Sequence, residues 1–146
     1  MKKPKTKVSK VVLVGGCFDI LHYGHIYFLK KAKALGTYLV VALESDKNIK
    51  RLKGEKRPIH NQYQRCEMLE SLNFIDQVII LADKMDDKDY EKLVKVVSPQ
   101  IIAVTVGDPA INKKQKQAEA IGAKVVEITK IKTPSTTQIA KLLKIE

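Results

Sequence analysis

Apolar positions along the chain fall into short continuous blocks separated by longer amphipathic stretches. Val11–Gly16, Tyr38–Leu43, 77–81, 101–106 and Lys124–Ile128 are apolar, mostly β-branched runs and predict strands. Between them the spacing becomes that of a helix. Over 26–35, Ile26, Leu29, Ala32 and Leu35 fall near one face, and Gly36 ends the segment. Residues 62–72 turn Met68, Leu69 and Leu72 inward, and Asp87–Val97 turns Leu93, Val94 and Val97 inward. Residues 110–121 and 135–143 complete the helices. Residues 46–60 are polar, basic and broken by Gly54 and Pro58, and predict a loop.

Strands that alternate with helices and are apolar throughout imply a parallel sheet covered on both faces. With right-handed crossovers this is an α/β fold, a doubly wound parallel five-stranded sheet with helices on both sides. Ligands of such sheets bind beyond the carboxyl ends of the strands, where the winding reverses. The loops after Val14, Leu43, Val106 and Ile128 are therefore the ones that matter. Residues 1–10 read as a basic tail and 11–146 as one domain, with no internal repeat and no low-complexity linker.

Composition narrows the function. The chain has 146 residues, 45% of them hydrophobic, and a formal net charge of +11, which excludes a disordered or collagen-like chain. No apolar run approaches the length of a membrane span, so no membrane association is expected. Cys17 and Cys66, one in a loop and one in a helix, make no disulfide framework, and Cys66 reads as core. A reducing, cytoplasmic compartment is the simplest expectation. Lys2, Lys3, Lys5, Lys7 and Lys10 before the first apolar run imitate a lipoprotein signal ending at Cys17. That run is shorter than the roughly 7–15 residues a signal core needs, so it reads as the first buried strand. Two further basic clusters stand at Lys47, Lys50, Arg51, Lys53, Lys56 and Arg57, and at Lys113, Lys114 and Lys116. Such clusters attract polyanions, either nucleic acid or a nucleoside triphosphate. No stacking aromatics are interleaved with them, which disfavours nucleic acid.

The loop after the first strand carries the most unusual residues: Gly15-Gly16-Cys17-Phe18-Asp19-Ile20-Leu21-His22-Tyr23-Gly24-His25. It has neither the dinucleotide-binding glycine pattern nor the lysine-containing phosphate loop. His22 and His25 stand three residues apart at a helix start and can point the same way. Gly24 leaves room for a phosphate near the backbone, and free N–H groups at the helix end favour an anion. A histidine pair could also bind metal. The third histidine, His60, lies in a distant loop, and the cysteines have no zinc spacing. No metal site built from side chains is expected.

The run Gly16-Cys17-Phe18-Asp19-Ile20-Leu21-His22-Tyr23-Gly24-His25 resembles the HxGH signature of the cytidylyltransferase-like nucleotidyltransferase superfamily, and the resemblance extends from about Val11 to Leu143. It takes in Asp46, Leu52-Lys53-Gly54, Arg65, Phe74-Ile75-Asp76, Val106-Gly107-Asp108 and Ser135-Thr136-Thr137. The resemblance implies a nucleotidyltransferase domain over 11–146. It would move a nucleoside monophosphate from ATP or CTP to a phosphorylated small molecule and release pyrophosphate. His22 and His25 would then contact the triphosphate, with Lys53 as a mobile lysine closing over it. Cys17, Phe18, Tyr23 and Gly24 would form the nucleotide pocket, and Asp19 would shape the acceptor side or the loop itself. Mg²⁺ is the implied cofactor, carried by the triphosphate. Members of the superfamily are often dimers, which makes a homodimer an open expectation.

Other positions carry two readings each. Lys53 is a phosphate clamp or a solvated loop charge. Arg65 pairs with phosphate bidentately or sits on a helix surface. Asp108 holds a ribose or the acceptor, or caps the next helix. Ser135, Thr136 and Thr137 cap the last helix, and their hydroxyls could hold the β- and γ-phosphates. Within the superfamily, Gly16-Cys17-Phe18-Asp19 and the run from Ser45-Asp46 through Leu52-Lys53-Gly54 to Arg57-Pro58 resemble the heptose 1-phosphate adenylyltransferase domain of lipopolysaccharide precursor synthesis. His-Tyr-Gly-His and Val-Gly-Asp resemble glycerol-3-phosphate and ethanolamine-phosphate cytidylyltransferases as much. Asn73 and Lys130 stand where the glycerol-3-phosphate enzymes carry arginines, and Thr105-Val106-Gly107-Asp108 departs from the heptose pattern. Archaeal FMN adenylyltransferases are a further alternative. A nucleotide- or RNA-binding module without turnover is the alternative that is not an enzyme.

Overall fold

The computed structural model describes residues 9–144. Its elements are β1 (Val11–Gly16), α1 (Tyr23–Ala34), β2 (Tyr38–Leu43), α2 (Asp46–Lys53), α3 (Gln62–Glu70), β3 (Gln77–Ile80), α4 (Asp87–Val97), β4 (Ile101–Thr105), α5 (Ile111–Glu119), β5 (Lys124–Ile128) and α6 (Thr136–Leu142). The strands form one parallel sheet in the order β3-β2-β1-β4-β5. The winding reverses between β1 and β4. The predicted doubly wound sheet is therefore the observed one.

Two apolar layers hold it. On one face Val12, Val14, Leu39 and Val41 pack with Leu29 and Ala32 of α1 and Leu69 of α3. On the other, Leu13, Val40, Ala42, Ile102 and Val104 pack with Val94 of α4 and Ala118 of α5. Every residue of β2 is buried, as expected for a strand covered on both sides. Asp76 accepts from the Leu39 amide at 2.7 Å and from Lys33 at 2.6 Å, which fixes the turn before β3.

The segment 46–60 departs from the predicted loop, because its first half is helix α2. Ser45 caps it, its Oγ accepting from the Asn48 amide at 3.1 Å, and Gly54 ends it at φ 106°. Only Ile49 of this helix is buried. One buried residue makes no periodic stripe, so apolar spacing could not reveal the helix. Helix α1 also starts earlier than predicted, at Tyr23, with His22 as its cap.

Lys10, assigned to the tail by sequence, is already joined to the fold. Its carbonyl accepts from the Thr37 amide at 2.8 Å, and its amide donates to Thr37 Oγ1 at 2.9 Å. Residues 1–8 of the expected tail lie outside the described residues. Gly36 sits beneath this contact, where an added Cβ would stand 2.3 Å from the Lys10 carbonyl oxygen. That neighbour is backbone and cannot swing away. Gly36→Ala is expected to destabilise the fold by about 1–3 kcal/mol, read as a lower urea midpoint at unchanged slope.

Candidate functional site

A cavity of about 380 Å³ opens at the carboxyl ends of β1 and β4. The start of α1 forms one wall and the segment leading into α6 another. Of the expected site residues, Cys17, Phe18, Asp19, His22, Gly24, His25, Lys53, Asp108 and Ser135 border it. Tyr23 does not: its side chain is 65% exposed and outside the lining. Thr137 is exposed and also outside it, while the side chain of Thr136 lies outside the described structure.

The two histidines cap their own helix. His22 Nδ1 accepts from the Gly24 amide at 3.0 Å, and His25 Nδ1 accepts from the His22 amide at 3.3 Å. This is a reciprocal capping box with imidazole in place of the usual hydroxyl and carboxylate. An accepting Nδ1 places the proton of a neutral ring on Nε2, so each ring keeps one N–H donor. The rings stack at 3.9 Å between centroids, and Phe18 meets His25 edge-on at 5.3 Å. Burial, then the neighbouring His22 and Lys53 charges, pushes His25 down to about 3. His22 is lowered too, by burial and then by Lys53. Both shifts favour the neutral rings near pH 7. Gly24 serves this pair directly, since an added Cβ would stand 2.8 Å from the His22 ring and 3.0 Å from Thr133.

The loop before the helix is strained. Phe18 and Ile20 both have positive φ, 48° and 55°. Asp19 between them is buried and holds the loop in place. Its carboxylate accepts from Arg57 Nε at 2.8 Å and from the amides of Ile59 at 2.8 Å and His60 at 3.0 Å. Burial alone would raise its pKa; the two amides and the Arg57 guanidinium outweigh that and hold it below the usual carboxylate range. Of the two roles expected for Asp19, the geometry supports shaping the loop. Its oxygens are engaged by the 57–60 segment, not turned to an acceptor.

Arg65 is corrected more sharply. It is not on the helix surface and does not border the cavity, but is fully buried. Its guanidinium donates to the carbonyls of Cys17 at 2.8 Å, Glu44 at 2.9 Å and His60 at 3.0 Å, and to Asp46 Oδ1 at 2.8 Å. The planar fork suits three carbonyls and a carboxylate better than a flexible ammonium would. The signal for this was the helical spacing: Arg65 stands four residues before Leu69, on the buried face of α3.

Asp108 closes its own turn. It accepts from the Ala110 amide at 2.8 Å and pairs with Lys114 at 2.6 Å. Burial would raise its pKa, but Lys114 and that amide bring it below the usual value. Lys114, named by sequence only as part of a basic cluster, borders the cavity, as do Tyr27, Phe28 and Thr133, which that reading did not place there. Position in the helix after β1 was the available signal for Tyr27 and Phe28, and position after the ends of β4 and β5 that for Lys114 and Thr133. Cys17 borders the cavity with its thiol pushed up, chiefly by burial. Cys66 packs at the edge of the core and is pushed up to about 11 by burial and then by Glu70 and Glu67. Among the described residues no group of three or more His, Cys, Asp or Glu gathers as metal ligands, and no helix is long and apolar enough to cross a membrane.

A cavity with N–H donors at a helix start and lysines at its rim suits a polyphosphate. The chain belongs to the cytidylyltransferase-like family, whose model matches residues 13–141. It is 40% identical over 140 residues to the bifunctional protein HldE of Nitratiruptor sp., covering 93% of this chain and 28% of that protein. It is 42% identical over 123 residues to the protein of the same name from Helicobacter pylori, covering 84% of this chain and 24% of that one. The chain thus spans under a third of the length of these relatives. Among solved structures it is similar to the lipopolysaccharide core biosynthesis protein of Thermoplasma volcanium, with 30% identity and TM-score 0.68, covering 86% of this chain and 99% of that one. Pantoate-β-alanine ligase of Francisella tularensis shares the fold at 16% identity and TM-score 0.60, covering 88% of this chain and 62% of that one.

Two outcomes test this description. In an imidazole nitrogen NMR titration, His25 should stay in its Nε2–H form from pH 8 to pH 5, with no transition at the ordinary 6.5. Because its folded value lies below the unfolded one, stability should fall as pH drops from 6.5 towards 3. Arg65→Ala leaves three carbonyls and Asp46 without their donor, and should cost about 3–5 kcal/mol in urea unfolding, with Arg65→Lys recovering only part.

Proposed function

We propose that this chain transfers the adenylyl group of ATP to a sugar 1-phosphate, heptose 1-phosphate first among them, and releases pyrophosphate. The neutral His22–His25 pair carries the chemical part, since it presents two fixed N–H donors in the cavity. Identity to proteins named HldE and to a lipopolysaccharide core biosynthesis protein supports the choice of acceptor.

An oxygen of the acceptor phosphate attacks the α-phosphorus. The bond from that phosphorus to the bridging oxygen of the β-phosphate breaks, and pyrophosphate leaves with the electron pair. The attacking phosphate is already anionic at neutral pH, so no strong base is required. Catalysis reduces to placement and to meeting the charge that builds on the α-phosphoryl oxygens and the leaving group. His22 and His25 donate there from a rigid cap, and no proton has to leave either ring. Lys53, at the end of α2 before Gly54, adds a positive charge from the rim, and Ser135 at the start of α6 borders the same space. Mg²⁺ enters as part of the nucleotide substrate. The carboxylates of Asp19 and Asp108 are already engaged by protein donors, so the phosphates are its natural ligands.

Pyrophosphate release is measured with ATP and with CTP against heptose 1-phosphate, glycerol 3-phosphate, phosphoethanolamine and FMN. Release is expected with ATP and heptose 1-phosphate; release only with another pair replaces this assignment. His25→Ala should lower kcat about 10²–10³-fold, the usual cost of losing one transition-state donor, while the variant still unfolds cooperatively.

A further inference from the structure

A second cavity, of about 410 Å³, opens on the α4–α5 face of the sheet. Its floor includes Leu13, Ala42, Val94 and Ile102, all from the apolar layer opposite to α1. It shares Gly15, Gly16, Cys17 and Lys114 with the histidine cavity. The two spaces therefore meet only over the end of β1 and beside Lys114. We propose that this second cavity receives the sugar body of the acceptor, and that Glu44, Asn48 and Tyr90 on its wall select for it by binding its hydroxyl groups.

The inference rests on the transferase reading above and follows from the direction of attack. The entering and leaving oxygens of a phosphoryl centre stand roughly in line. With the β- and γ-phosphates on the α1 and α6 side, beside the histidines, the nucleophile must come from the other side of the α-phosphorus. That side is the α4–α5 face. The narrow crossing of glycine and cysteine over β1 is where a phosphate can pass, with Lys114 at its edge.

The wall has the chemistry of a sugar site. Tyr90 Oη donates to Glu44 Oε1 at 2.9 Å, the Asn48 amide donates to Glu44 Oε2, and Arg51 donates to Asn48 Oδ1. Glu44 itself is held by its backbone, its amide donating to the Gly16 carbonyl at 3.0 Å and its carbonyl accepting from Arg65 at 2.9 Å. A fixed carboxylate, an amide and a phenol can accept from and donate to hydroxyls, while the aliphatic floor takes the C–H face of a ring. This set needs no positive charge on the ligand, and so points to a polyhydroxylated phosphate ester.

Tyr90→Phe and Asn48→Ala are compared with the unmodified chain by steady-state kinetics, varying nucleotide and acceptor separately. Binding of heptose 1-phosphate alone is followed by calorimetry. The expected result is a KM for the sugar phosphate raised about tenfold, as for a lost hydroxyl contact, with the KM for the nucleotide changed less than twofold. A purely structural pair would instead lower the melting temperature and leave both KM values alone, which overturns the proposal. If another acceptor proves to be the substrate, the heptose assignment falls, and a tenfold KM change for that acceptor still supports the cavity. If the unmodified chain neither binds nor turns over any phosphorylated acceptor, both fall.

Discussion

The carboxyl end of the sheet is held together by one guanidinium group. Arg65 reaches from α3 to the carbonyl at the end of β1, the carbonyl after β2, the carbonyl before α3 and the carboxylate that opens α2. One planar fork thus joins the ends of two paired strands to the starts of two helices. Burying a charge this fully is costly unless it is met by hydrogen bonds, and here three carbonyls and the Asp46 carboxylate meet it. The glycine-cysteine crossing between the cavities, the carboxylate of Glu44 and the start of α2 all take their positions from this contact.

A second buried pair, Asp19 with Arg57, does similar work one layer out. It ties a loop with two positive-φ residues to the segment that follows Lys53. Strain of this kind persists only where the surroundings over-determine it. Its effect is to bring Phe18 against His25 and to hold the histidine rings where desolvation keeps them neutral. A neutral ring whose Nδ1 accepts from the backbone has its single proton on Nε2, so the same nitrogen is the donor throughout the neutral pH range.

Much of this was legible in the amino-acid order. The strands showed as uninterrupted apolar runs because both faces of a parallel sheet are covered, and the reversal of winding followed from their alternation with helices. His22 and His25 stood out because a glycine and a helix start lay between and around them. Helix α2 was hidden because it rests on Ile49 alone and wears lysines elsewhere. Arg65 was misplaced because charge suggests exposure, and only its phase with Leu69 spoke for burial. Asp19 and Asp108 look like ligand-binding carboxylates in a linear chain. Their partners, Arg57 with the 59–60 amides and Lys114 with the Ala110 amide, become visible only when the loops are brought together.

The reciprocal cap made by His22 and His25 ties two kinds of fitness to the same nitrogen atoms. Each Nδ1 closes the first turn of α1, and each Nε2 is the donor on which the proposed transfer relies. A lineage that no longer used the reaction would still lose folding stability by changing either ring. Genetic drift at these positions would be slow, and a descendant that had become a pure binding protein would keep both histidines long after its turnover had gone.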